Sequence, residues 1–435
     1  MNARRTSRTF LAPIALAAIT FSLALRAQAQ TETVLYNFGP GWAGNYPDGT
    51  VVLDSAGNIY GSTQFGANCC GTVYELSPVS GGGWTYKVLK GFSNSSYGSY
   101  VAPTLVRDAA GNLYGTTING GNMSVSCNGT GCGVVFQLSP TSSGQWSETV
   151  LHTFSGGPDG GNPFGSLLLG PDGSIYGTTI RGGNDHQCTT KYIQGCGVVF
   201  RLSYGTTGWR ETVLYTFSNA VGSGPNGGLV MDAAGNLYGT TQGNAPILFE
   251  LTPTSSGPWT ETTLVNFLST GWGSPVSGVI ADAAGNLYGT AYGSGGECPI
   301  RGSCGVVFEL SPIAGGGLTQ TVLHTFTAGT DFAYPFSVSM DTAGNLYGVA
   351  IYGYSNNTDC GENGCGGVFE LSPSTGGTWT ESILHMFTDG ADGNPNGLSG
   401  VAVDASGNIF GTAAAGGNNT TNCGDGCGVI FEITR

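Results

Sequence analysis

Asp108-Ala109-Ala110-Gly111-Asn112-Leu113-Tyr114-Gly115-Thr116-Thr117 decides the fold, because the chain keeps returning to it. Close copies begin at Asp54, Asp232, Asp282, Asp341 and Asp404. A divergent copy reads Gly170-Pro171-Asp172-Gly173-Ser174-Ile175-Tyr176-Gly177. That makes seven copies, 50 to 63 residues apart. A supersecondary unit repeated in this way cannot bury its apolar face alone and must stack on its neighbours.

An apolar strand precedes each copy. The Asp can accept bonds from its own turn and the Gly can take positive φ, so the phrase reads as strand, tight turn, strand. Two more strands complete the unit. In the second copy strand A is Thr104 to Arg107, B is Asn112 to Thr117, C is Gly133 to Ser139 and D is Ser147 to Phe154. Four short strands per unit is what a propeller blade requires. The expected fold is therefore an all-β, seven-bladed β-propeller with four antiparallel strands per blade. Glycine is 77 of 435 residues and only 9 % of the chain is charged, which suits many tight turns. The regular aromatic and branched strands argue against low-complexity disorder.

The ends bear on closure. Glu32 to Phe38 reads as a D strand with no A, B or C before it, and Gly428 to Ile433 as a C strand with no D after it. The N-terminal strand is expected to complete the last blade, closing the ring over residues 30–435. Residues 1–29 read as a signal peptide. Arg4, Arg5 and Arg8 precede an apolar run from Phe10 to Leu25, and Ala27-Gln28-Ala29 forms a cleavage site. Its removal takes the net charge from −14 to −18, since Arg4, Arg5, Arg8 and Arg26 leave with it. So acidic a chain repels nucleic acid and anionic membranes. No later segment is long and apolar enough to span a bilayer. The expected location is secreted, periplasmic or at the cell surface.

Twelve cysteines fall in six pairs: Cys69/Cys70, Cys127/Cys132, Cys188/Cys196, Cys298/Cys304, Cys360/Cys365 and Cys423/Cys427. Each pair sits just before strand C. Export and an even count in register predict disulfides. The fourth unit has a short B–C connection, Gln242 to Pro246, and no cysteine; loop and staple are missing together. Partners for the adjacent Cys69 and Cys70 stay open at this point.

Chemistry is sparse. His152, His324 and His385 share one strand D position that Tyr36, Tyr215 or Val265 fills elsewhere, which reads as packing. His186 is a lone loop residue. Glu75, Glu250, Glu309, Glu370 and Glu432 share one strand C position, and Glu32, Glu148, Glu211, Glu261 and Glu381 one strand D position. A catalytic acid and base should break such symmetry. No nucleophile elbow, His-Glu-x-x-His or phosphate loop occurs. No catalytic residue and no cofactor is assigned. Asp389, Asp392 and Asn394 form an oxygen-rich turn that can hold calcium, with a plain Asx turn as the alternative.

The D–A and B–C loops emerge at the same end of a propeller, and here they are the long, variable ones. They carry Trp42, Tyr46, Tyr97, Tyr100, Trp272, Phe332, Tyr334 and Tyr354 among Asn and Gly. Variation on a fixed scaffold is where binding lives. The first expectation is a binding module for an extracellular glycan or protein. The alternatives are a structural surface or matrix protein, and a metal-dependent propeller lactonase or lyase.

Three segments carry a family likeness: Asp108 to Thr117, Gly305-Val306-Val307-Phe308-Glu309-Leu310-Ser311-Pro312, and Glu211-Thr212-Val213-Leu214-Tyr215-Thr216-Phe217. In them the chain resembles the GloVer-type, choice-of-anchor tandem-repeat proteins of bacteria, over nearly all of the mature sequence. The resemblance implies an exported or surface protein of propeller-like architecture and no particular activity. A looser similarity to NHL and gluconolactonase-like propellers lies in the Asp-x-x-Gly-Asn-Leu-Tyr turn, which is scaffold.

Overall fold

The structure is a computed structural model. It describes residues 30–67, 69–93, 96–123, 127, 129–183, 188, 195–218, 222–255, 257–293, 298, 304–313, 317–329, 331–353, 364–395, 397, 399–419, 423 and 426–435. Seven antiparallel sheets form a ring of blades, with strand A innermost and D outermost. The B strands are Ile59–Phe65, Leu113–Asn119, Ile175–Arg181, Leu237–Thr240, Leu287–Tyr292, Leu346–Gly353 and Ile409–Ala413. The C strands are Thr72–Pro78, Val134–Pro140, Val198–Gly205, Ile247–Thr252, Val306–Pro312, Gly367–Pro373 and Val429–Thr434. D strands at Trp84–Gly91, Trp146–Thr153, Gly208–Thr216, Thr260–Asn266, Leu318–Thr325 and Trp379–Met386 follow them. In the seventh blade the outer strand is Thr31–Asn37, paired antiparallel with Val429–Thr434 from Thr31↔Thr434 to Asn37↔Val429. The A strands are short and often broken: blade 2 has Ser99–Val101 and Val106–Arg107, both on Leu113–Asn119.

Seven of the ten positions of the repeated phrase have an identifiable job. Asp108 Oδ1 accepts from Asn112 N at 2.8 Å. Its Oδ2 accepts from Asn112 Nδ2 at 2.7 Å and from the Tyr114 hydroxyl at 3.1 Å. Gly111 sits at φ 88°, the left-handed region that costs glycine nothing. Partial burial works to raise the Asp108 pKa, but the Asn112 and Tyr114 hydrogen bonds win and hold it below the usual range. In the divergent third copy the acid has moved: Asp172 caps Ser174 N at 3.0 Å and pairs with Arg201 at 2.6 Å.

The second glycine is there for space. A Cβ on Gly239 would lie 2.6 Å from Phe249 Cζ, and on Gly115 2.6 Å from Phe136 Cζ. That strand C ring faces the phenylalanine ending strand D of the preceding blade, as in Phe217–Phe249 and Phe92–Phe136, each with centroids 5.0 Å apart. The first Thr joins blades: Thr240 Oγ1 donates to Ser277 O at 2.7 Å and Thr290 Oγ1 to Phe336 O at 2.8 Å. The second Thr holds the start of strand C, with Thr117 Oγ1 accepting from Val134 N at 3.2 Å. One decapeptide thus encodes a turn, a ring seat and an inter-blade tie.

The cysteines are bonded within their pairs: Cys69–Cys70, Cys127–Cys132, Cys188–Cys196, Cys298–Cys304 and Cys423–Cys427. Cys365 is also disulfide-bonded, and Cys360 lies outside the described residues. The second cysteine of a pair does more than close its loop. Its carbonyl accepts from a residue of the first inner segment of the next blade, as in Tyr100 N→Cys70 O at 2.8 Å and Asn162 N→Cys132 O at 2.7 Å. The staple therefore sets the blade-to-blade step at this end of the ring.

Candidate functional site

The two ends of the ring differ. The A–B turns repeat one Asp-capped geometry around one end. The D–A and B–C loops meet at the other, around the mouth of the central channel. The channel there is lined by inner-strand Gly, Ser, Thr and Val residues, among them Gly165, Ser166, Gly227, Ser277 and Val279, around a cavity of about 320 Å³. A second cavity of about 450 Å³ shares Phe164, Asn226, Val276 and Phe336 with it and adds Gln242, Tyr292, Tyr334 and Tyr352. No acidic, basic or histidine side chain lines either cavity among the described residues. Asp48 stands beside Gly397, where a Cβ would come 2.6 Å from its Oδ1.

Aromatic rings ride on strained backbone at this mouth. Tyr46, Tyr100 and Tyr334 have φ of 53°, 58° and 59°, and Asn162 at the equivalent place has 55°. Blade 4 puts Gly224 there, at φ 63°. A tyrosine in this region costs about 1–2 kcal/mol more than glycine. The position is nonetheless filled by tyrosine in three blades. Tyr46 and Tyr100 flank Phe65 at 5.6 and 5.9 Å, and Tyr334 lies 4.6 Å from Tyr292 and 5.3 Å from Tyr352. The mouth thus has two aromatic arcs separated by polar blades.

The other aromatic candidates divide. Trp42 and Tyr97 are 59 % and 53 % exposed. Trp272 stacks on Phe308 at 5.2 Å and 19° and belongs to the interior between blades. Phe332, expected at a binding surface, is fully buried and is core. The reason is a paired size swap. Phe332 stands where other blades have Gly44 or Gly160, and its ring fills the space left by Gly367, where blades 2 and 3 have Val134 and Val198; a Cβ on Gly367 would be 2.3 Å from Phe332 Cζ. Tyr354 and His186 lie outside the described residues. The oxygen-rich turn is occupied internally: Asp392 accepts from Thr388 N at 3.0 Å and Thr388 Oγ1 at 2.5 Å, and Asp389 from Asn394 Nδ2 at 2.9 Å.

Strand D holds what single-column reading of the repeats missed. His152, His324 and His385 each face an aspartate seven residues on, Asp159 at 3.5 Å, Asp331 at 3.4 Å and Asp392 at 3.1 Å. A β-bulge at this point of strand D, as between Val150 and His152, re-aims the histidine toward the blade seam. The strand D glutamate of the following blade completes each group. His324 Nε2 lies 3.7 Å from Glu381 Oε2, and these three residues are the one described set of His, Cys, Asp or Glu with metal-ligand spacing. At the equivalent seam of blades 1 and 2 Lys90 pairs with Glu148 at 2.5 Å. At the seam of blades 7 and 1 Tyr36 stacks on Tyr86 at 4.2 Å. Interchange with an ion pair and a stack marks these clusters as lacing between blades.

The lacing is pH-sensitive. Glu211 is pushed up to about 7, chiefly by burial, with His152 pulling the other way and Asp159 adding to the rise. Glu32 and Glu381 are raised for the same leading reason. A carboxyl raised above its unfolded value binds extra protons in the folded state, so stability falls as pH climbs from about 4.5 to about 7. Partial exposure cuts the full shift, and about 1–2 kcal/mol is the expected penalty at pH 8. Glu211→Gln should gain that amount at pH 8 and nothing at pH 4 in urea denaturation. Equal stability of variant and parent at both pH values would rule the penalty out.

No curated protein sequence matches the chain. Among solved structures, a gluconolactonase from Xanthomonas campestris is 16 % identical over 76 % of this chain and 90 % of its own, with a TM-score of 0.42. A luciferin-regenerating enzyme is 12 % identical over 90 % of this chain and 92 % of its own, with a TM-score of 0.45. These likenesses say nothing about what the chain does. The Gloeobacter/Verrucomicrobia repeat, by contrast, matches residues 19–190, 129–360 and 247–435, and with every residue from 19 to 435 covered, the chain belongs to that repeat family.

Proposed function

We propose that this propeller is an exported binding module that takes its ligand at the end of the ring where the D–A and B–C loops meet. The observation that carries this reading is the contrast between the ends. One repeats a single capped turn. The other varies from blade to blade, exposes Trp42 and Tyr97, and holds Tyr46, Tyr100 and Tyr334 on left-handed backbone that glycine would occupy without strain. Backbone strain retained to present a side chain is a mark of a working surface.

The disulfides suit an oxidising compartment, and no helix of the described residues is long and apolar enough to cross a membrane. A lactonase or lyase of the metal-centred kind needs carboxylates, amides or imidazoles converging at the channel mouth. Among the described residues the lining supplies amides without a carboxylate or imidazole, which supports binding over turnover.

The test uses the oxidised protein on a glycan array and in pull-downs from bacterial envelope material. Tyr100→Gly relieves its own backbone strain, so the fold should hold while the ring is lost. Paired with Trp42→Ala it should reduce the captured signal at least about tenfold, the effect of removing aromatic anchors. Capture unchanged in the double variant, or no capture by the parent, would sink the reading.

A further inference from the structure

We infer that the cavity at the channel mouth beside blades 4 to 6 is a subsite for the end of a neutral saccharide, an assignment that rests on the binding reading above. Its size, about 450 Å³, lies in the range of small-ligand sites, roughly 300–1,000 Å³. Its walls combine two chemistries. Tyr292, Tyr334 and Tyr352 supply ring faces and hydroxyls, with Tyr334 between the other two at 4.6 and 5.3 Å. Asn226 and Gln242 supply amides. Asn226 Oδ1 is buried and has no hydrogen-bond partner among the described residues. A buried carbonyl left without a donor is costly, and turning the amide toward the cavity would let a ligand hydroxyl satisfy it.

The ligand class follows by matching the wall. An anionic sugar would meet no lysine, arginine or histidine in the lining among the described residues, inside a chain of net charge −14. Among the described residues no carboxylate is part of the lining for a cationic ligand to pair with, Asp48 standing beside Gly397. A purely apolar ligand would strand the Asn226 and Gln242 amides. A pyranose ring answers each demand. Its apolar face lies on tyrosine, its hydroxyls reach the amides, and it carries no charge. The channel cavity, with Gly, Ser and Thr in its lining, shares Asn226 and Phe336 with this one, so an exocyclic group can point inward.

The probes are cellotriose, maltotriose, mannotriose and triacetylchitotriose, with trigalacturonate as the charged comparator. Each is titrated by calorimetry and by saturation-transfer NMR at up to about 5 mM. At least one neutral trisaccharide should bind, more tightly than trigalacturonate. Tyr334→Gly and Asn226→Leu should each weaken it at least about tenfold. Both variants should stay folded: in the first, relief of left-handed strain offsets part of the lost ring packing, and the second removes an unsatisfied buried carbonyl. Binding unchanged in both variants overturns the site. Preference for trigalacturonate overturns the ligand class. No binding of any neutral probe overturns the inference. The array and pull-down signal of the Trp42→Ala/Tyr100→Gly variant decides the broader reading separately, because neither residue lines this cavity.

Discussion

Phe249→Ala should destabilise the propeller by about 3–5 kcal/mol, the largest single-residue effect expected in this chain. Phe249 is fully buried. Its ring meets Phe217 of the preceding blade at 62° with centroids 5.0 Å apart. Around it lie Leu229, Leu237 and Leu251, all at least 95 % buried. Truncation opens a cavity at a blade seam, and the two sheets cannot collapse into it without disturbing the ring. Urea denaturation of parent and variant measures the loss, and a shift under about 1 kcal/mol would show that the seam is softer than its packing implies.

The same site explains why the repeat keeps a glycine in mid-strand. Gly239→Ala puts a Cβ 2.6 Å from Phe249 Cζ and 2.8 Å from Leu229 Cδ2. Overpacking of this kind costs about 1–3 kcal/mol. The two changes should not add. With Phe249 already alanine the added methyl has room, so Gly239→Ala should cost nothing or restore some stability in that background. Gly235 makes the opposite case. It sits at φ 87° with nothing within 4 Å of where a Cβ would stand, so alanine there meets strain in the backbone alone. Two glycines four residues apart are held for unrelated reasons: loss of the Phe249 ring should relieve Gly239→Ala and leave the cost of Gly235→Ala unchanged.

This is also where sequence reading succeeded and where it stopped. The blades were legible because Asp-x-x-Gly-Asn-Leu-Tyr-Gly-Thr-Thr constrains a turn, a seat and a tie at once, and a repeated constraint survives divergence. The third copy lost its first acid, and the structure recovers the cap with Asp172 and Arg201. The His–Asp pairs were missed because each column was read alone, and histidine alternating with tyrosine and valine looks like packing. Read jointly, the columns speak: the three copies with histidine have aspartate seven residues on, while Tyr36, Lys90, Tyr215 and Val265 are followed there by Ala43, Tyr97, Gly222 and Trp272. Phe332 was misplaced for a different reason. Its partner in the size swap, Gly367, is 35 residues away, and nothing local marks the exchange. At the mouth, the aromatics were visible in the sequence, but their left-handed backbone and the Asn226 Oδ1 left without a partner among the described residues belong to the assembled ring.

Reducing the disulfides should cost the protein more than any one substitution. The staples Cys127–Cys132, Cys188–Cys196, Cys298–Cys304 and Cys423–Cys427 close loops with sequence separations of 5, 8, 6 and 4. Loop-closure entropy gives about 2 kcal/mol for each, so about 8 kcal/mol for the four as an upper bound. The vicinal Cys69–Cys70 closes no chain loop and should add little. The folded state suffers as well. Cys132 O holds Asn162 N at 2.7 Å and Cys196 O holds Gly224 N at 2.9 Å, so an opened loop frees the contact that aligns the next blade. Blade 4 is the internal control, because its connection from Gln242 to Pro246 has no staple to lose. Under a phosphine reductant in native buffer, the denaturation midpoint should fall sharply. Limited proteolysis should then cut the B–C loops of blades 2, 3, 5 and 7 while sparing that of blade 4. A midpoint that does not move, or cleavage that begins at blade 4, would mean that the inter-blade phenylalanines hold the ring without help from the staples.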